Sequence, residues 1–155
     1  MKAEHPKRLT PLAPPGALLK RAFGIAQRLR LRDASNSDPV YLSSIRACPC
    51  LRCGMDPAHE AAHVSMNSGA HGKHNSFGKK AADRWTVPLC GACHREDKDS
   101  QHKVGELPFW NDVGINPLLV CSRLYAARDD FVKMRAIVFN AIAERESRSQ
   151  IEARR

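Results

Sequence analysis

The sequence predicts a small α+β fold, with a short cysteine- and histidine-rich centre held between helical flanks. Three observations predict it. The chain has 155 residues, 43% of them hydrophobic but only 9 aromatic, which fits one domain with tails and a core short of large rings. Five of the six cysteines, six of the nine glycines and six of the seven histidines fall between Ala47 and Gly105, so chemistry and tight turns are concentrated there. On both sides of that segment apolar residues recur at helical spacing.

Met1 to Gly16 carries Pro6, Pro11, Pro14 and Pro15 among Lys2, Lys7 and Arg8, and is expected to stay disordered, since it has too little apolar surface to offset ordering entropy. Leu18, Leu19, Phe23, Ala26 and Leu29 then predict a basic amphipathic helix to Arg32, with Lys20, Arg21 and Arg28 on its other faces. Residues 1–32 hold eight Lys and Arg against one Glu, +7 of the chain's formal +9. This asymmetry points to a polyanion, with Lys20, Arg21 and Arg28 as candidate nucleic-acid contacts. A solvated basic helix face with a tail is the plainer reading of the same charges.

Asp38 before Pro39 is a helix start for a short helix to about Ile45. Glu60 to Val64 reads as a short strand, Ser65 to Ala82 as a loop rich in Gly, His, Asn and Lys, and Asp83 to Leu89 as the return. Leu107, Phe109 and Trp110 follow between Gly105 and Gly114. Asn116-Pro117 opens a helix to about Arg128, and a last helix runs from about Asp130 to Arg148 with Phe131, Met134, Ile137, Val138, Ala141 and Ile142 on one stripe. The expected organisation is a basic arm over 1–38, a central domain over 39–128, and a C-terminal helix with basic tail over 129–155. The longest apolar runs are about five residues, against the roughly 20 a bilayer-spanning helix needs. The charged N-terminus lacks an apolar h-region, so a cytoplasmic, reducing compartment is expected and the cysteines read as thiols or metal ligands.

Two Cys-x-x-Cys pairs stand out: Cys50-Leu51-Arg52-Cys53, followed by Gly54, and Cys90-Gly91-Ala92-Cys93. A two-residue spacer turns both sulfurs of a pair toward one point, and two pairs complete a tetrahedral thiolate site for Zn²⁺ with no open position, hence a structural one. Cys48-Pro49-Cys50 offers another register. Gly54 favours Cys50 and Cys53, because a glycine supplies the positive φ of a tight turn after the second ligand. Cys121 lies on an apolar helix stripe and reads as core. A thiol redox role for either pair is the weaker alternative, as the βαβ context of such chemistry is lacking.

Cys93 is followed by His94, and His102 comes eight residues later. If Gly91 to Lys103 is one helix, the two histidines differ by about 80° in azimuth and share a side. The combination of Cys-x-x-Cys, Ala62-His63-Val64, Lys80-x-x-Asp83 and Val87-Pro88-Leu89-Cys90-x-x-Cys93-His94 resembles the HNH endonucleases of the zinc-bound ββα-metal type, a treble-clef-like core. The continuation through Gln101-His102, Gly105-Glu106 and Phe109-Trp110 resembles more specifically the phage-encoded, recombination-enhancing Ref-type nucleases and their relatives, over roughly Tyr41 to Tyr125.

The resemblance implies phosphodiester hydrolysis on DNA, with His63 as the general base and Asp83 bracing the loop or the base. It implies one catalytic divalent ion, Mg²⁺ or Mn²⁺, on His94 with His102 as a second ligand, and a recombinase filament as a partner. General-base chemistry suits an imidazole, and a histidine-rich shell also suits Ni²⁺ or Zn²⁺. This chain departs from the family at Ala62, where many members carry a ligating Asp or His. Glu60, two residues earlier on the same strand face, is the candidate replacement, or else a solvent-facing strand residue.

Lys73, Lys79, Lys80 and Arg84 are candidate phosphate contacts in and beside the central loop, with His71 and His74. Trp85 and Trp110 read as packing residues. The competing function is a non-catalytic zinc module that binds nucleic acid or a recombination partner, which the loss of a ligand at Ala62 favours.

Overall fold

The computed structural model describes residues 37–74 and 81–154. The expected arm and first helix, with Lys20, Arg21 and Arg28, lie outside the described residues, as do Lys79 and Lys80. The described residues build a small α+β unit of five α-helices and one two-stranded sheet.

The first helix, α1 (Pro39–Ala47), starts where Asp38 and Pro39 place it. The Asp38 carboxylate accepts the Tyr41 amide at 3.0 Å, satisfying one of the donors a helix start leaves over. Tyr41 and Ile45 face inward and are buried. The chain then turns through Cys50–Gly54, with Gly54 N–H on Cys50 O at 2.9 Å and Gly54 at φ 77°. The left-handed conformation expected of that glycine is therefore present.

Strand β1 (Glu60–His63) pairs antiparallel with β2 (Thr86–Leu89), setting Glu60 opposite Leu89 and His63 opposite Thr86. All four β2 residues are buried, because α1 packs on the hairpin and α4 (Pro117–Ala126) packs on β2 and on the 3-10 turn Asp83–Trp85 before it. Pro88 has no amide to donate, yet its carbonyl accepts Leu51 N–H at 2.9 Å, which fastens the Cys50–Cys53 turn to the strand.

Between strands and α4 lie the short α2 (Gln101–Val104) and α3 (Glu106–Val113), which buries Phe109, Trp110 and Val113. The sequence marks Phe109 and Trp110 as apolar here without assigning the helix. Asn116 caps α4 by accepting the Leu118 and Leu119 amides. Asp130 caps α5 (Phe131–Glu152) through Lys133 N–H. Met134, Val138 and Ala141 of α5 are buried, and Arg135 ties the helix to Asp56 and Ala47 O. The last helix is thus packed into the same unit as the centre. Trp85 and Trp110 are both buried in the common core.

The single helix considered over Gly91–Lys103 is not formed. Asp97 N–H reaches back five residues to Ala92 O at 3.1 Å, making Ala92–Glu96 a π-helical turn, and the chain breaks before α2. The physical reason is local and tertiary together. Asp97, Asp99 and Ser100 are poor helix formers, and Arg52 holds the loop by donating to Asp99 O and pairing with its carboxylate.

No helix among the described residues is long and apolar enough to cross a membrane.

Candidate metal centre and the histidine pairs beside it

The four sulfurs of Cys50, Cys53, Cys90 and Cys93 lie within 4.8 Å of one another. Four sulfurs about 2.3 Å from a tetrahedral zinc would stand roughly 3.8 Å apart, and Cys53 Sγ and Cys90 Sγ are 3.6 Å apart. The donor set and its spacing fit a structural metal ion. Among the described residues this is the one place where three or more Cys, His, Asp or Glu ligand atoms come that close. Cys48 is not among these ligand atoms.

Each pair comes from a turn that the sequence specifies. In the first, Gly54 N–H closes the turn on Cys50 O, and the amides of Cys53 and Arg52, with that of Cys90 from the second, partly offset the effect of burial on the Cys50 thiol. In the second, the chain leaves β2 and enters a helical turn at once, with His94 N–H on Cys90 O at 2.9 Å. Burial pushes the Cys50 thiol up to about 11. Burial and then the neighbouring Cys50 push Cys93 further still. Cys53, the exposed member, goes the other way: burial opposes ionisation, but a backbone N–H bond from Met55 and bonds with the other sulfurs outweigh it. Thiolates crowded this way repel one another, and a dication reverses the balance because a coordinated thiol ionises outright.

His63 ends β1, and its Nε2 lies 2.9 Å from Asp83 Oδ1. Asp83 is almost fully buried, and its second oxygen accepts Asp38 N–H at 2.9 Å. Its carbonyl accepts the Thr86 hydroxyl at 2.8 Å. One carboxylate therefore joins the start of α1, the turn before β2 and the imidazole at the end of β1.

The loop leaving His63 is fixed from the other side. Glu106, at the start of α3, accepts the Ser65 amide at 2.7 and 2.8 Å and the Met66 amide at 2.9 Å. Sequence reading gave Glu106 no role of its own. Its only signal was a place in the Gly105-Glu106 motif.

His94 lies on the π-helical turn, with Nδ1 2.6 Å from Glu60 Oε2. Arg95 holds both oxygens of the same carboxylate. The exposed His102 comes to His94 edge-to-face, with ring centres 4.5 Å apart. Burial lowers the His94 pKa, with the Glu60 bond opposing and His102 adding to the fall. Two imidazoles at one place are donors that suit Mn²⁺, Ni²⁺ or Zn²⁺. Ala62 is fully buried and contributes no ligand.

The expected phosphate contacts divide. Arg84 is exposed, its guanidinium 4.8 Å from the Trp85 ring centre and 5.7 Å from that of Tyr125. Lys73 needs correction: it is only 1% exposed, with Nζ donating to Met66 O at 2.6 Å and lying 5.9 Å over the Trp85 ring. The reason is the turn at Gly72, φ 62°, which bridges Ser68 to Lys73 and folds the side chain under the loop. Burial lowers its pKa. Lys73 is thus a buried cation held on Met66 O, where the sequence predicts an exposed loop lysine.

The chain matches no protein-family model, no curated protein and no solved structure.

Proposed function

We propose that the chain is a metal-dependent HNH-type DNA endonuclease or nickase, similar to the Ref-type nucleases, with a structural zinc on Cys50, Cys53, Cys90 and Cys93. The observation that carries this reading is the His63–Asp83 pair, a base candidate at the end of β1 oriented by a buried carboxylate. With Asp83 accepting the Nε2 proton, the imidazole lone pair is on Nδ1, the nitrogen that takes a proton from water as it attacks phosphorus. Asp83 also stabilises the imidazolium that results, as an orienting carboxylate does in other base–acid pairs. His94 and His102 would hold the catalytic Mg²⁺ or Mn²⁺, whose chemistry is to stabilise charge on the phosphate and the leaving oxygen.

DNA is the partner favoured by charge. The +9 chain would gain affinity by releasing counterions from the phosphate backbone, with Arg84 beside Asp83 as one contact. A recombinase filament is the accompanying partner that the Ref resemblance suggests.

The test is incubation of zinc-loaded protein with supercoiled plasmid and with single-stranded circles, in Mg²⁺ and in Mn²⁺, with and without recombinase coating. Wild type should convert the DNA, and His63→Ala should lose at least 100-fold in rate with its zinc content unchanged. Equal cleavage by His63→Ala would remove the mechanism.

A second reading, a non-catalytic zinc module that binds nucleic acid, is favoured by one observation: the residue before His63 is the buried, non-ligating Ala62. Calorimetry that finds zinc but no further Mn²⁺ or Mg²⁺ site would select it.

A further inference from the structure

Glu60 and His94 are 34 residues apart in sequence and meet because of the hairpin register. Glu60 pairs with Leu89, and the helical turn carrying His94 begins just past that residue. The carboxylate so delivered is itself immobilised, since Arg95 Nε donates to Oε2 at 3.1 Å and Arg95 Nη2 to Oε1. A fork of this kind fixes both the position and the plane of a carboxylate. Its Oε2 lies 2.6 Å from His94 Nδ1.

Resting on the nuclease reading above, we propose that Glu60 is a positioning residue for His94: it accepts the Nδ1 proton, fixes the ring as the Nδ1–H tautomer, and presents the Nε2 lone pair to a divalent cation beside His102.

The chemistry is general. Which imidazole nitrogen binds a cation is set by the hydrogen bond the other one makes. A carboxylate behind the ring also raises its basicity as a ligand. Without such an acceptor, a neutral imidazole in water prefers its proton on Nε2, the nitrogen that would have to coordinate. The arrangement also explains Ala62. The carboxylate this strand offers is engaged behind His94, where it acts on the cation through the ring, so no acid is required at position 62.

The experiment uses the full zinc-loaded chain, wild type beside E60A and E60Q. Long-range ¹H–¹⁵N spectra read the tautomer of His94 before any second metal is added, and Mn²⁺ titration by calorimetry and electron paramagnetic resonance reads the cation affinity. Wild type should show Nδ1–H. E60A should move to Nε2–H and lose about 10- to 100-fold in Mn²⁺ affinity, with one zinc per chain retained. E60Q still offers a carbonyl oxygen to Nδ1–H, so it should keep the tautomer and lose only several-fold. It also keeps the test decisive if E60A loses zinc.

An unmoved tautomer in E60A overturns the proposal whatever the protein does to DNA. A moved tautomer with wild-type Mn²⁺ affinity in both variants overturns the positioning role and leaves the nuclease reading standing. Wild-type protein that binds no Mn²⁺ or Mg²⁺ overturns both.

Discussion

Replacing Asp83 by Asn keeps the shape of the side chain and changes what it can accept. The carboxylate takes His63 Nε2–H on one oxygen and Asp38 N–H on the other, both at 2.9 Å. An amide has one acceptor oxygen and one NH₂. If the oxygen stays on the Asp38 amide, the NH₂ faces His63 Nε2, and the imidazole must move its own proton to Nδ1, the nitrogen the mechanism needs as a base. The stability loss is that of a hydrogen bond to a charged acceptor, about 1.5–3 kcal/mol. For a unit of this size that corresponds to roughly 4 °C of melting temperature per kcal/mol, so a fall of about 6–12 °C. On the proposed nuclease mechanism the activity loss is larger in kind. A base with its proton on the wrong nitrogen forfeits the general-base contribution of about 10²–10⁴. Melting curves, zinc content and plasmid cleavage on the same preparations read the two effects separately. Asp83→Asn that melts lower but cleaves at the wild-type rate would refute the claim that Asp83 sets the tautomer of a catalytic His63.

Two further expectations follow from the metal centre and the histidine beside it. Structural zinc contributes about 10–16 kcal/mol in small domains, comparable to the whole net stability of a folded protein, so on the proposed reading Cys93→Ser should lose the bound metal and the cooperative melting transition. A native-like melt with no bound metal would show that the helices and hairpin stand without it. His94 has a folded pKa lowered mainly by burial. The unfolded chain therefore binds more protons between that value and about 6.5, and stability is complete above pH 6.5 and is lost as pH falls through the folded value. Melting temperature should thus drop on acidification below pH 6.5, and less steeply in His94→Asn; parallel profiles would contradict the assignment.

Local signals carried much of this fold and long-range ones carried the site. Asp38-Pro39 and Asn116-Pro117 announce helix starts because cap and first-turn proline are chemical properties of adjacent residues. The two Cys-x-x-Cys pairs announce a four-sulfur cluster because their spacing is itself the ligand geometry, and Gly54 decides the register against Cys48 for a backbone reason. Lys73 misleads for the opposite cause: a lysine in a Gly-rich loop looks exposed, and only the fold-back at Gly72 shows its ammonium under Met66 O and over Trp85. Glu106 is an ordinary acid in the sequence, and Glu60 only a candidate for the ligand missing at Ala62, until tertiary structure sets one on the amides of Ser65 and Met66 and the other on His94. No window of sequence contains either partner.

The broken helix after Cys93 shows how the metal centre and the histidines are linked. In an unbroken α-helix, His94 and His102 would be about 12 Å apart along the axis, too far to share one ion whatever their azimuth. Their ring centres are 4.5 Å apart because the chain widens into a π-turn at Ala92–Glu96, breaks, and restarts at Gln101. What holds the break in place is Arg52, one of the two residues between the first pair of cysteines. Its guanidinium grips Asp99 and rests 5.1 Å from the Phe109 ring centre, while α5 secures its carbonyl through Arg145 at 2.7 Å. The turn that shapes the four-sulfur cluster is thereby the turn that sets His102 against His94. Loss of a structural metal would loosen both at once, so metal-free protein should bind Mn²⁺ more weakly than metal-loaded protein even where its helices persist.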